Sequence, residues 1–279
     1  MKKEISYKKI VRVVKENYIE ACKILPEQIE KAFKLALQKE ENILTKAILE
    51  VLLSNAEIAK KEGLPLCQDT GIPVVWVKIG ENVKIENLEK AINEGLLLAY
   101  KEGFLRASVC DPLTRKNTET NTPAIIHYEI LQEDILEIYL MPKGCGSENM
   151  SALAMLSPSA GIKGIKKFII ETVKKADSNP CPPIIVGIGI GGDFEKSALL
   201  AKKALFRDLG TFNLDPTIEK LEKELIKEIN YLNIGPLGLG GETTCLGVHI
   251  ETYPTHIASL PVAVNIQCHS ARVKKIKII

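Results

Sequence analysis

Leu64-Pro65-Leu66-Cys67-Gln68-Asp69-Thr70-Gly71-Ile72-Pro73-Val74-Val75-Trp76-Val77-Lys78-Ile79 is the stretch where the chain changes character. Before it, apolar residues recur at helical spacing. After it come short apolar runs broken by glycine and proline, the texture of strands alternating with helices. Upstream, Ile10, Val14, Tyr18 and Cys22 line one helical face, and Pro26 suits a first helical turn ahead of Ile29, Phe33, Ala36 and Leu37. Leu44, Ile48, Val51 and Leu52 then repeat the spacing, and Gly63 stops the third helix with Pro65 just beyond it. The reading is a helical portion over 1–62 and a sheet-containing portion over 63–279, together a mixed α/β (α+β) fold.

Downstream, Ile72–Ile79 reads as a strand and Glu86–Glu102 as a helix closed by Gly103. Strands over 124–131 and 135–141 are expected to form a hairpin across Gln132-Glu133-Asp134. A helix over 162–176, a strand over 184–190, helices over 194–206 and 216–232, and strands over 247–252, 258–267 and 273–279 complete the pattern. No internal repeat or low-complexity segment interrupts it.

Composition narrows the function classes. The 279 residues carry 37 Lys and Arg against 35 Asp and Glu, a net charge of +2 with the signs interleaved, so no basic face recommends nucleic acid as a partner. No apolar run approaches the ~20 residues of a membrane span, and Met1-Lys2-Lys3-Glu4 leads into an amphipathic helix rather than a secretion signal. A cytoplasmic globular protein is expected. Seven cysteines, an odd number without a secretion signal, argue against a disulfide framework and for thiols, nucleophiles or metal ligands. With no Cys-x-x-Cys pair, any cluster must be assembled from distant loops.

Several segments carry candidate chemistry. In Leu64–Gly71, Cys67 lies two residues from Asp69 on a turn between a helix and a strand; taken alone, a plain capped turn with a buried thiol is the favoured reading. Lys143-Gly144-Cys145-Gly146-Ser147-Glu148-Asn149 offers glycines for close ligand approach, or simply a tight strand-to-helix turn. In Asn179-Pro180-Cys181-Pro182-Pro183 prolines are expected to hold Cys181 in an extended, rigid backbone, as a cluster ligand or in a linker. Gly187-Ile188-Gly189-Ile190-Gly191-Gly192 fits the dinucleotide fingerprint, but no second parallel strand follows within the ~30 residues such a unit needs, so close packing or an anion-binding turn is preferred. Gly235–Thr244 is too glycine-rich to serve stability and suggests approach to a ligand or partner, and Tyr253–Val264 and Gln267–Arg272 carry His256 and Cys268, which in isolation read as core residues at the two ends of a strand.

Taken in order, Leu66-Cys67-Gln68-Asp69-Thr70-Gly71, Asp111–Thr118, Lys143–Asn149, Cys181-Pro182-Pro183, Gly238–Gly241 and Thr255-His256-Ile257-Ala258-Ser259-Leu260-Pro261-Val262-Ala263 resemble the α subunit, or N-terminal half, of class I fumarate hydratase and L(+)-tartrate dehydratase. The resemblance runs through nearly the whole chain. It implies that Cys67, Cys181 and Cys268 hold an oxygen-sensitive [4Fe–4S] cluster with one iron left open as a Lewis acid. It further implies Asp69 as proton donor to the departing hydroxyl, His256 near the site, and Gln68 and Arg106 as holders of substrate carboxylates. The backbone of Gly144 and Cys145 would also serve the substrate; the family usually has glycine or alanine where Cys145 stands. The implied activity is reversible hydration of fumarate to malate, with tartrate or another dicarboxylate as the alternative. A separate β subunit would supply the base and further substrate-binding residues, in an α₂β₂-like assembly. Two other classes stay in view: an NAD-linked oxidoreductase using Gly187, Gly189 and Gly192, and a non-catalytic Fe–S protein whose cluster is fully ligated by protein.

Overall fold

The computed structural model describes residues 3–279. In chain order the elements are β1 (Lys3–Ile5), α1 (Tyr7–Lys23), α2 (Glu27–Lys39), α3 (Ile43–Glu62), β2 (Ile72–Gly80), β3 (Val83–Ile85), α4 (Leu88–Glu102), β4 (Ile125–Leu131), β5 (Leu136–Lys143) and α5 (Cys145–Glu148). Then follow β6 (Ala152–Leu156), α6 (Gly161–Ala176), β7 (Ile184–Gly191), α7 (Phe194–Ala204), α8 (Pro216–Asn230), β8 (Cys245–Tyr253), β9 (Leu260–Gln267) and β10 (Lys274–Lys277). The mixed α/β class and the helical opening are as the sequence predicts. The described chain gathers into two compact units: the stretch ending at Leu25 with Ala56–Cys145 and Arg272–Ile279, and Pro26–Asn55 with Gly146–Ala271. The helical opening contributes to both.

The first unit is built on a four-stranded sheet in the order β10-β5-β2-β4. Ser6 caps α1 by accepting from the Lys9 amide, and the predicted face of Ile10, Val14, Tyr18 and Cys22 is buried in one core with Ala91, Ile92, Leu96 and Ala99 of α4 and Val75, Val77, Ile138 and Leu140 of the sheet. Each such aliphatic side chain contributes about 1.5–3 kcal/mol by leaving water. Gly95 lets α4 approach α1, since a Cβ there would stand 2.8 Å from the Val11 carbonyl oxygen. The expected hairpin of β4 and β5 does not form. β2 lies between them, parallel to β4 and antiparallel to β5. The short link crosses the end of β2 at Gly80, whose amide donates to Ile135 O at 2.8 Å and where a Cβ would meet Glu133 O at 2.1 Å. A four-residue link, residues 132–135, therefore joins two strands that flank β2.

The second unit carries a sheet in the order β6-β9-β7-β8. Its core joins Ile165, Ile169 and Val173 of α6, Leu221, Leu225 and Ile229 of α8, and Val186, Ile188, Val248, Ile250, Val264 and Ile266 of the strands. β7 does have a parallel neighbour, β8, but it is reached only after two helices. Gly187 and Gly189 serve packing: a Cβ on them would meet Ala201 O at 2.3 Å and Ser197 O at 2.0 Å on α7. The start of α7 is already capped by the Asp193 carboxylate, which accepts from the Lys196 amide at 2.8 Å, an arrangement that repels a phosphate rather than seating one. On α3 the buried line is Thr45, Leu49, Leu52, Ala56 and Ala59, whereas Leu44 and Val51 of the expected face are 53% and 60% exposed. The helix is apolar on two adjacent lines, and the one with small residues, which permits closer approach, is the buried one. Among the described residues, no helix is long and apolar enough to cross a membrane.

Candidate active site

In the first unit the segment from Cys67 to Gly71 joins α3 to β2 as a turn fixed on every side. Asp69 Oδ1 accepts from the Gly71 amide at 2.8 Å, closing the turn on itself, and Oδ2 accepts from the Cys145 amide at 2.9 Å. The Asp69 carbonyl accepts from Arg272 Nη2 at 2.9 Å, and the Leu66 amide donates to the Cys22 carbonyl. Gly71 must be glycine: its φ is +79° and an added Cβ would lie 2.7 Å from Lys143 N. Thr70 Oγ1 donates to Arg106 O at 2.9 Å, so the turn and the Arg106 loop are joined directly. The Tyr100 hydroxyl lies 2.9 Å from Gly71 O and 2.9 Å from the Tyr18 hydroxyl. Burial pushes both phenols well above their ordinary range, and the charge of buried Arg272 opposes the shift.

Gly144 borders the same carboxylate, because a Cβ on it would be 3.4 Å from Asp69 Oδ2. Gln68, Arg106 and Cys145 are exposed, while Cys67 and Asp69 are half-buried. The first unit thus brings together Cys67, Gln68, Asp69, Arg106, Gly144 and Cys145 around one turn.

The second unit holds Cys181, Cys268 and His256. Cys181, between Pro180 and Pro182, is not extended as the flanking prolines suggest: its φ is +55°, a left-handed backbone that a non-glycine residue keeps only when its surroundings fix it. Its carbonyl accepts from the His269 amide at 3.1 Å and lies 3.0 Å from His269 Nδ1. The residue after Cys268 is therefore bonded to Cys181, and the two cysteine loops form one assembly. Cys268 Sγ is 3.2 Å from Ser270 Oγ. His256, exposed in the β8–β9 connection, accepts from the Ala258 amide at Nδ1, which in the neutral ring leaves the proton on Nε2.

All seven cysteines are thiols rather than disulfides. Burial pushes the Cys22 and Cys245 thiols up to about 12, so these two stay protonated and are poor thiolate ligands. Cys67, Cys181 and Cys268 sit instead in loops outside the regular elements, partly or fully exposed, and as a donor set of three thiols they suit an iron–sulfur cluster. Among the described residues no three His, Cys, Asp or Glu side chains gather at metal-binding distance.

Two motifs turn out to carry structural work. Glu148 pairs with Lys202 at 2.5 Å and accepts from Asn265 Nδ2 at 3.1 Å. In the glycine-rich loop, a Cβ on Gly235 would meet Gly240 O at 1.6 Å, one on Gly238 would meet Ser178 Cβ at 2.2 Å, and one on Gly241 would meet Thr45 Cγ2 at 2.6 Å. Those glycines answer to packing within the chain. Of the residues that support the Asp69 turn, Thr70 and Arg272 lie inside quoted segments that gave no sign of this role, and Tyr100 and Asn121 lie in no motif, far from the turn in sequence.

Comparison with known proteins matches residues 11–277 to the family described as fumarate hydratase (Fumerase). A Methanocaldococcus jannaschii protein provisionally named L(+)-tartrate dehydratase subunit alpha is 47% identical over 97% of this chain and 98% of its own length. The L(+)-tartrate dehydratase subunit alpha of Escherichia coli K12 is 30% identical over 89% of this chain and 84% of its own, and that of Shigella boydii is similar to the same extent.

Proposed function

Because the chain belongs to the fumarate hydratase (Fumerase) family, we propose that it is the α subunit of an iron–sulfur hydro-lyase that interconverts fumarate and malate in the cytoplasm. The observation that carries this reading is the Asp69 turn: a carboxylate held by two backbone amides, bordered by Gly144, and bonded through Thr70 to the Arg106 loop. Cys67, Cys181 and Cys268 would hold a [4Fe–4S] cluster, which when bound supplies an iron without a protein ligand as a Lewis acid for the hydroxyl.

The chain's own residues do the rest. Asp69 transfers the proton to the departing hydroxyl, and its fixed oxygens keep that proton in one direction. Arg106 and Gln68, both exposed beside the turn, take the substrate carboxylates; the guanidinium does so through paired hydrogen bonds. Gly144 and Cys145 offer a backbone edge next to Asp69, and the Cys145 thiol is incidental. His256 Nε2 is the proton-bearing edge available to a substrate oxygen. The base for the opposite face comes from a separate β subunit in an α₂β₂-like assembly, a reading supported by the relatives' names as alpha subunits.

Those same names favour a second reading, dehydration of L(+)-tartrate, which differs from malate by one further hydroxyl. Assaying the reconstituted chain on malate and on L(+)-tartrate, without and with the β subunit, tests both. Turnover of either dicarboxylate only when β is present supports the α-subunit reading, and the better substrate decides between the two. Substantial turnover by the α chain alone would overturn the two-subunit assignment.

A further inference from the structure

Asn121 is fully buried in the first unit and sits at φ +55°, a left-handed conformation that asparagine tolerates better than most residues. Its amide faces two segments at once. Nδ2 donates to Gly71 O at 3.0 Å, and Oδ1 accepts from the Ser108 amide at 2.6 Å and from the Val109 amide at 2.9 Å. Gly71 closes the turn that holds Asp69, and Ser108 and Val109 lie two and three residues after Arg106. One side chain therefore joins the segment of the proton donor to the segment of the carboxylate-binding arginine. Thr70 makes the parallel link to Arg106 O, and Asn117 Nδ2 adds a third hold on the loop by donating to Ala107 O at 3.0 Å. Backbone donors of a loop segment are thus satisfied from inside the fold, which leaves the exposed Arg106 side chain on a rigid mount.

We propose that Asn121 is a positioning residue that fixes the separation between the Asp69 carboxyl and the Arg106 guanidinium. This rests on the hydro-lyase reading above. If the two groups act on one substrate, loosening the joint lets the bound carboxylate drift away from the proton donor, and binding and turnover fall together. A residue needed only for folding would lower the melting temperature and leave both kinetic constants alone.

The test uses Asn121→Gly, since glycine adopts the same φ without strain and removes all three bonds. It is measured in the reconstituted complex with the β subunit, at a temperature where the variant is folded. We expect KM to rise and kcat to fall, lowering kcat/KM on the order of 10- to 100-fold. Hydrogen exchange should show the Ser108 and Val109 amides, and also the Gly71 amide bonded to Asp69, losing protection. Kinetic constants within about twofold of wild type would overturn the proposal, whatever the melting temperature does. Should Asn121→Gly not fold, Thr70→Val removes the parallel link alone and should still raise KM; unchanged constants there overturn the proposal as well. A wild-type complex that turns over no dicarboxylate would instead overturn the hydro-lyase reading. The exchange measurement then decides the joint by itself: Gly71 protection lost in Asn121→Gly supports it, and protection retained refutes it.

Discussion

Replacing Gly71 by alanine should destabilise the protein through two separable effects. The residue sits at φ +79°, where an L side chain costs about 1–2 kcal/mol. The new Cβ would also lie 2.7 Å from Lys143 N, 2.8 Å from Lys143 O and 2.8 Å from Pro142 C, all backbone atoms. Ordinary carbon contacts lie near 3.5–4.0 Å, so roughly 1 Å of movement is demanded of atoms that are themselves paired with β2 at Ile72 and Pro73. Overpacking of this kind costs about 1–3 kcal/mol. The sum is about 2–5 kcal/mol, and 3 kcal/mol corresponds to a fall in Tm of roughly 6–12 °C. Gly63→Ala is the matched control: its φ is +67°, but nothing lies within 4 Å of its Cβ. It should carry the backbone cost alone, a fall of roughly 2–8 °C. Thermal unfolding followed by circular dichroism measures both. Equal losses for the two variants would refute the contact argument, and no loss in Gly71→Ala would refute the geometry of the turn.

Serine at Cys67, Cys181 or Cys268 should abolish the visible absorbance and iron content of anaerobically reconstituted protein, while Cys145→Ser keeps both; the reverse pattern would mean the ligand set is wrong. Asp69→Asn should lower turnover by ~10²–10⁴ with iron content unchanged, because the amide keeps the carboxylate's shape but cannot deliver the proton. Alkaline stability has its own signature. Cys22 and Cys245 titrate near 9.0 when unfolded and at about 12 when folded, so both states are protonated below pH 9 and only the unfolded state gains by ionising above it. Stability should therefore fall from pH 9 towards 12 by a few kcal/mol per thiol, and denaturant melts should show a shallower fall in Cys22→Ala and Cys245→Ala. An equally steep fall in the variants would contradict this.

What the sequence made legible follows the strength of each local signal. The face of α1 was readable because Ile10, Val14, Tyr18 and Cys22 recur on one side with polar residues elsewhere. On α3 two apolar lines compete, and choosing between Val51 and Leu49 requires knowing what the helix meets. The hairpin of β4 and β5 was the natural reading of two strands and a short link, since nothing in that segment announces that β2 will insert between them. Of the candidate site, the turn at Cys67–Gly71 and its neighbours Gly144 and Cys145 were named from motifs, and the structure draws them around Asp69. Of the struts, Asn121 and Tyr100 lie in no motif and Arg272 ends one without a sign of its role, because each acts through a hydrogen bond between segments 29 to 203 residues apart. Glu148 lies inside a motif yet spends its charge on Lys202, so motif membership alone did not separate chemistry from scaffolding.

The proposed hydration depends on Cys67, Cys181 and Cys268 holding a cluster that would supply an iron open to substrate. It is tested most directly by reconstituting the α and β subunits anaerobically, measuring dicarboxylate turnover, and repeating the measurement after exposure to air and a chelator. The account predicts that activity is lost and that Fe(II) with reductant restores it. Undiminished activity after prolonged aeration and chelation would contradict it.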